Sequence, residues 1–203
     1  MQTFLGACVD LSPNDINEEF ISRAKILYLE GYLFDPPEAQ KAFKKAAKIS
    51  KQNDGRVALS LSDSFCVDRH REAFLDFIRE YVSILFANED EIKSLYQVDE
   101  FEGAVSQALI DCEIAVLTRG SKGSVVVAEG QYHELKPERV KNIIDTTGAG
   151  DAYAAGFLFG LIQGKPLEAC GHLGGIIAGE IISSYGARAK KNLNAIVRES
   201  LVG

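Results

Sequence analysis

The sequence predicts an α/β protein built on a mainly parallel central sheet with helices on both faces. Two observations lead there. Short apolar runs alternate with amphipathic stretches as far as residue 118, the rhythm of parallel strands joined by right-handed helical crossovers. Beyond that point the rhythm breaks into one hairpin signal and two long apolar helices rich in Gly and Ala.

In chain order, Lys25-Ile26-Leu27-Tyr28-Leu29-Glu30 reads as the first strand. Residues 37–50 read as a helix with Pro37 near its start. Lys41, Lys44, Lys45, Lys48 and Lys51 stand there at helical spacing around Phe43, Ala46, Ala47 and Ile49, the pattern of a solvated face over a buried one. A strand at 56–61, a helix at 70–81 and a strand at 83–87 follow, then helices at 89–96 and 100–110 and a strand at 114–118. Residues 124–128 and 131–135 flank Glu129-Gly130, a hairpin signal. Helices at 148–162 and 166–184 come next, broken at Gln163-Gly164-Lys165-Pro166, with a shorter helix from Asn192. No repeat, low-complexity linker or domain boundary interrupts residues 1–203, which read as a single α/β domain.

The chain's 203 residues, 46% hydrophobic, are enough for a substantial core and an enzyme. A formal net charge of -7 and the lack of any Lys/Arg run argue against a nucleic-acid surface. Cys8, Cys66, Cys112 and Cys170 are scattered, without a close pair or a histidine at metal-ligand spacing, so neither a zinc site nor a disulfide framework is expected. Reduced thiols and the absence of a leader-like or membrane-spanning apolar segment give a cytoplasmic reading with no membrane partner. His70, His133 and His172 have no Ser or Cys partner suggested by spacing and read as structural.

The chemistry concentrates in Asp145-Thr146-Thr147-Gly148-Ala149-Gly150-Asp151, which runs into the apolar stretch Ala152-Tyr153-Ala154-Ala155-Gly156-Phe157-Leu158. Small residues strip bulk from a turn that opens a helix. Its first N–H groups have no intrahelical partners and the helix dipole adds positive charge, so the turn can receive an anion. Asp151 beside it can accept a proton from a hydroxyl while the amides hold charge developing on a transferred phosphoryl group. An isolated Gly-Asp before a helix would be an ordinary start. The extended run is long enough to be specific.

Other nucleotide motifs fail. Gly160 and Gly164-Lys165-Pro166 have neither the P-loop spacing nor its hydroxyl, and the Gly148, Gly150 pair has Tyr153 where a dinucleotide fingerprint needs its third glycine. That weakens an oxidoreductase reading. Asn88 with Glu91 reads both as a capping box and as acidic groups at the carboxyl edge of a parallel sheet. Thr118-Arg119-Gly120-Ser121-Lys122-Gly123 reads by itself as a Gly-rich turn after a strand, and Asp145 and Thr147 as turn formers.

The run Asp145–Asp151 with the Gly-Phe after it resembles, residue for residue, the C-terminal signature of the ribokinase family, also called PfkB carbohydrate kinases. The resemblance extends from Thr3-Phe4-Leu5-Gly6-Ala7 through Tyr185-Gly186-Ala187-Arg188 and leans toward adenosine kinases through residues 59–65 and 82–89. It implies a ribokinase-like three-layer α/β/α fold and transfer of the γ-phosphoryl of ATP to a primary hydroxyl of a sugar or nucleoside. In that reading Asp151 is the base, and Gly148, Ala149 and Gly150 form the anion hole. Thr118, Gly120 and Gly123 contact the nucleotide with Asn88. Asn88 and Glu91 organise Mg2+ through water, and Asp145 and Thr147 hold a monovalent cation such as K+. The family's N-terminal strands, β lid and sugar-binding residues have no counterpart here, so a fragment of about the C-terminal two-thirds is expected. Its sheet edges favour self-association as a homodimer. The alternative expectation is a nucleotide-binding remnant without catalysis.

Overall fold

The computed structural model describes residues 6–202, with side chains described through residue 198; Thr3, Phe4 and Leu5 of the resemblance lie outside the described residues. Six strands hydrogen-bond in chain order: β1 (Ile26–Glu30), β2 (Arg56–Ser60), β3 (Ile84–Asn88), β4 (Ile114–Thr118), β5 (Ser124–Ala128) and β6 (Gln131–Leu135). β1 pairs parallel with β2, with Leu27 opposite Val57 and Leu29 opposite Leu59, and β2 pairs parallel with β3, with Ala58 opposite Ile84. The strands inside this order are apolar nearly throughout, and β3, β4 and β5 bury four or five consecutive residues. That is the signature of strands covered on both faces. β1, at one end of the order, alternates buried and half-buried residues, and β6 at the other is mostly exposed. Glu129 (φ 51) and Gly130 (φ 75) both take the left-handed region, making the two-residue hairpin turn between β5 and β6 that the sequence predicts.

The helices are α1 (Glu18–Arg23), α2 (Pro37–Gln52), α3 (Ser64–Tyr81), α4 (Glu89–Tyr96), α5 (Phe101–Asp111), α6 (Ala149–Ile162), α7 (Leu167–Ile182) and α8 (Leu193–Val202). α1 and the 3-10 turn at Gly31–Phe34 are too short to leave a periodic signal and were not predicted. α3 begins six residues before the predicted start at residue 70, because the Asp63 side chain accepts the Phe65 amide at 3.0 Å and caps it there. His70 sits at a non-helical φ of -125° and ψ of 24°, so the predicted start falls on a kink inside the helix.

The chain forms two compact units. One comprises the chain through Leu117 with Val127–Gly130, the other Thr118–Val126 with the chain from Gln131 onward. In the first, Phe34 stacks on Phe74 with ring centroids 3.8 Å apart and meets Phe43 and Phe77 edge-on at 5.9 and 5.7 Å. Such ring pairs add about 0.5–1.5 kcal/mol each beyond the area they bury. In the same unit α4 opens with a full capping box. The Asn88 side chain accepts the Glu91 amide at 2.8 Å, and Glu91 accepts the Asn88 backbone N–H at 2.9 Å and the Asn88 side-chain amide at 2.7 Å. Glu91 is 7% exposed. Burial, reinforced by the negative charges of Asp63 and Glu30 and opposed by the Asn88 amide, pushes its carboxyl up to about 7.

In the second unit, Ala152 of α6 packs with Leu173, Ile177 and Ile181 of α7 and Val197 of α8. α6 and α7 approach backbone to backbone. A methyl on Gly156 would lie 2.6 Å from the Leu173 carbonyl oxygen, and one on Gly174 would lie 2.8 Å from the Tyr153 ring.

Gly156→Ala forces that contact apart and is expected to lower stability by about 1–3 kcal/mol in urea unfolding. Gly164→Ala will not reproduce this cause, since nothing lies within 4 Å of its would-be methyl and only its left-handed φ of 69° is strained. Glu91 yields a second expectation. A carboxyl raised in the folded state contributes stability that is complete below its ordinary pKa of 4.5 and lost as pH climbs through about 7. The unfolding free energy of the native protein should therefore fall by about 3 kcal/mol across that window relative to Glu91→Gln. Parallel pH profiles for the two proteins would remove the assignment.

Candidate active site

The turn into α6 is shaped by one conformation and one carboxylate. Gly148 caps the helix at φ 77°, ψ 8°, a left-handed conformation that side chains rarely adopt. A methyl there would also lie 2.7 Å from the Ala187 side chain, so glycine is required by two independent constraints. Asp145 accepts the Thr147 amide through one oxygen and the Gly186 amide through the other, each at 2.9 Å. It thereby staples the turn to the segment after α7. The Gly186 amide, followed by the groups of Thr147, holds the Asp145 carboxyl below its ordinary range.

The amides beyond the turn divide in two. Ala149 donates to the Thr146 carbonyl at 3.1 Å, so this member of the expected anion hole is engaged within the turn. Among the described residues no acceptor is recorded for the amides of Gly150 and Asp151. They stand in the first turn of a 14-residue helix, at its positive end. A side-chain methyl at Gly150 would meet nothing within 4 Å, so the approach to its amide is open. The Asp151 carboxylate, exposed, lies in the same turn.

Of these two residues Gly150 borders a cavity of about 480 Å³ formed within the second unit. Its walls include Thr118, Gly120 and Gly123 from the loop after β4, Lys136 and Pro137 after β6, Thr146, Ala149, Gly150 and Tyr153 at the start of α6, and His172 and Gly175 of α7. Two stretches separated in sequence by the β5–β6 hairpin and the segment after it thus meet: the Thr118–Gly123 loop and the helix start are brought to one cavity. Asp145, Thr147, Gly148 and Asp151 are not part of its lining. Asn88 and Glu91 belong to the first unit, where they are bound to each other in the capping box.

Sequence reasoning missed two parts of this arrangement. Tyr153 is buried and shares a 2.7 Å hydrogen bond with Ser124 at the start of β5, linking α6 to the strand that follows the loop. Burial pushes its hydroxyl up to about 12, so it remains neutral. The signal was present as a lone Tyr in a run of small residues, whose phenol needs a partner once buried. His172, read as structural, does line the cavity, and its Nδ1 stands 4.0 Å from Glu138.

Residues 3–193 match the pfkB family carbohydrate kinases. A probable sugar kinase protein from Rhizobium etli CFN 42 has a TM-score of 0.95 at 42% identity, over 98% of this chain and 61% of that one. The adenosine kinase from Sinorhizobium meliloti gives 0.94 and 41%, over 97% and 61%. The cytidine kinase of Thermococcus kodakarensis is 30% identical over 192 residues, which are 90% of this chain and 63% of that protein. The chain spans less than two thirds of the length of each of these relatives. The fold they share is the three-layer α/β/α ribokinase-like arrangement with a mainly parallel sheet. By its signature, its fold and this match, the chain belongs to the pfkB family of carbohydrate kinases.

Proposed function

We propose that the chain carries the nucleotide-binding and phosphoryl-transfer machinery of a kinase that moves the γ-phosphoryl group of ATP to a primary hydroxyl of a sugar or nucleoside. The observation carrying this reading is the open amide of Gly150, with that of Asp151 beside it, at the positive end of α6, where Gly150 borders a cavity that also takes in Thr118, Gly120 and Gly123. A polyphosphate fits such a place because it supplies several anionic oxygens to donors that have no internal partner. The relatives named sugar, adenosine and cytidine kinase support the breadth of the acceptor class.

In this reading the Asp151 carboxylate takes the proton of the acceptor hydroxyl as its oxygen attacks the γ-phosphorus. The bond to the β,γ-bridging oxygen breaks and ADP leaves with that electron pair. The amides of Gly150 and Asp151 hold the charge spread over the γ oxygens in between. With Ala149 engaged, Gly148 serves the hole mainly by its left-handed turn. Asn88 and Glu91 would hold Mg2+ through water: each Glu91 oxygen accepts one N–H from Asn88 and keeps lone-pair capacity for a metal-bound water. When bound, the ion neutralises triphosphate charge. A K+ ion at Asp145 and Thr147 would use the lone pairs left over from the staple.

Calorimetry with magnesium and ATP, followed by coupled ADP release across adenosine, fructose and ribose, tests the reading directly. Saturable nucleotide binding with turnover on one acceptor supports it; binding without turnover selects the non-catalytic alternative, and no nucleotide binding defeats both. Asp151→Asn is expected to lower kcat by about 10²–10⁴-fold while nucleotide affinity holds. Gly150→Ala should leave stability unchanged or slightly raised, as Ala replaces Gly in an open helical position, yet weaken ATP binding by crowding the amide.

A further inference from the structure

We propose that Asp35, Cys66 and His70 form a binding site for a divalent transition metal of the zinc class, held by thiolate, imidazole and carboxylate with one coordination position left open. Their ligand atoms all lie within 4.8 Å of one another. The His70 Nε2 stands 2.8 Å from Asp35 Oδ1, and the Cys66 Sγ stands 4.0 Å from the same oxygen. Metal–ligand bonds of about 2.0–2.3 Å in a tetrahedron place donors about 3.3–3.8 Å apart. Shifts of about 1 Å thus convert the cluster into a coordination sphere.

The positioning follows from the chain. Cys66 and His70 are four residues apart on α3, which puts them on one face just before the kink at His70. Asp35 follows the 3-10 turn Gly31–Phe34, and the Gly31 carbonyl accepts the Cys66 thiol at 3.4 Å. Cys66 forms the floor at 1% exposure, while the side chains of His70 and Asp35 are 25% and 40% exposed and leave an entry path. Sulfur, nitrogen and oxygen donors together suit zinc, cobalt or nickel rather than magnesium or calcium. The spacing Cys66-x-x-x-His70 was visible in the sequence, so the expectation that no histidine stands at metal-ligand spacing from a cysteine is corrected here; the carboxylate that completes the set lies 31 residues upstream.

Without metal the cluster is an ionic staple. Arg69 grips Asp35 through Nε at 3.1 Å and Nη2 at 2.8 Å. Burial keeps the Cys66 thiol protonated, pushed up to about 12. Metal entry displaces the Cys66 thiol proton to solvent and the His70 Nε2 proton, which here bridges to Asp35 Oδ1, to Nδ1 or solvent, so that thiolate and Nε2 lone pair reach the metal, and it turns the half-exposed Arg69 away from Asp35. No electron changes hands.

The test is titration of the full chain, freed of metal by a chelator, with Co2+ alone, following the thiolate-to-cobalt charge-transfer band and its displacement by Zn2+. One equivalent with that band is expected. Cys66→Ser should abolish the band, Asp35→Asn should weaken binding at least about tenfold, Arg69→Gln should tighten it, and Cys8→Ser should leave it unchanged. Far-UV circular dichroism confirms that each variant is folded, and His70→Gln replaces Cys66→Ser if the latter is not. Absence of the band, its persistence without the Cys66 thiol or the His70 imidazole, or an Arg69→Gln affinity no tighter than native overturns the proposal.

Discussion

The left-handed turn at Gly148 determines where α6 starts, and the candidate site depends on that starting point. One residue earlier or later, different amides would occupy the first turn and the cavity would border different donors. The turn is fixed by complementary means: Asp145 ties its two sides to Thr147 and Gly186, and the Ala187 side chain fills the space that any Cβ at 148 would need. Tyr153 then anchors the helix one turn further on by its bond to Ser124. The open amides are a by-product of this bracing, since the Ala149 amide closes the turn and the next two find no acceptor among the described residues.

Much of the fold was legible because its strands record burial in their composition. The runs at β3, β4 and β5 are apolar end to end and were placed within a residue of their observed limits. The N-terminal stretch before β1 was not, because α1 relies on the Asn17 cap and its packing rather than on periodicity. α3 shows a different limit: the apolar pattern resumes at residue 70, which is a kink, while the helix itself starts at a cap that precedes any pattern. For the site, the signature run marked the helix mouth, and the loop at Thr118–Gly123 lines the same cavity as that helix start. The partners across distance in sequence, Ser124 for Tyr153 and Asp35 for Cys66 and His70, were illegible because nothing local says which residue completes each set.

Asn88 and Glu91 show why two readings of one motif need not compete. The capping box meets the helix's need for an acceptor at its first amides, and the same contacts satisfy the Glu91 carboxyl where it is buried. Together they leave a carboxyl poised near neutrality, with both oxygens oriented by one neighbour. A group held this way changes charge with modest changes in its surroundings, whereas Asp145, stapled by two amides and exposed, is committed to the ionised form.

The interlock of Gly156 and Gly174 carries a mechanical implication. At Gly156 backbone touches backbone with no side chain between, so α6 and α7 slide or part at that point only by breaking the contact outright. The rest of the border is the loop after β4 and the irregular stretch from Lys136 to Thr146, which has neither strand nor helix to stiffen it. Exchange of a bound molecule would be timed by these loops and not by the helices.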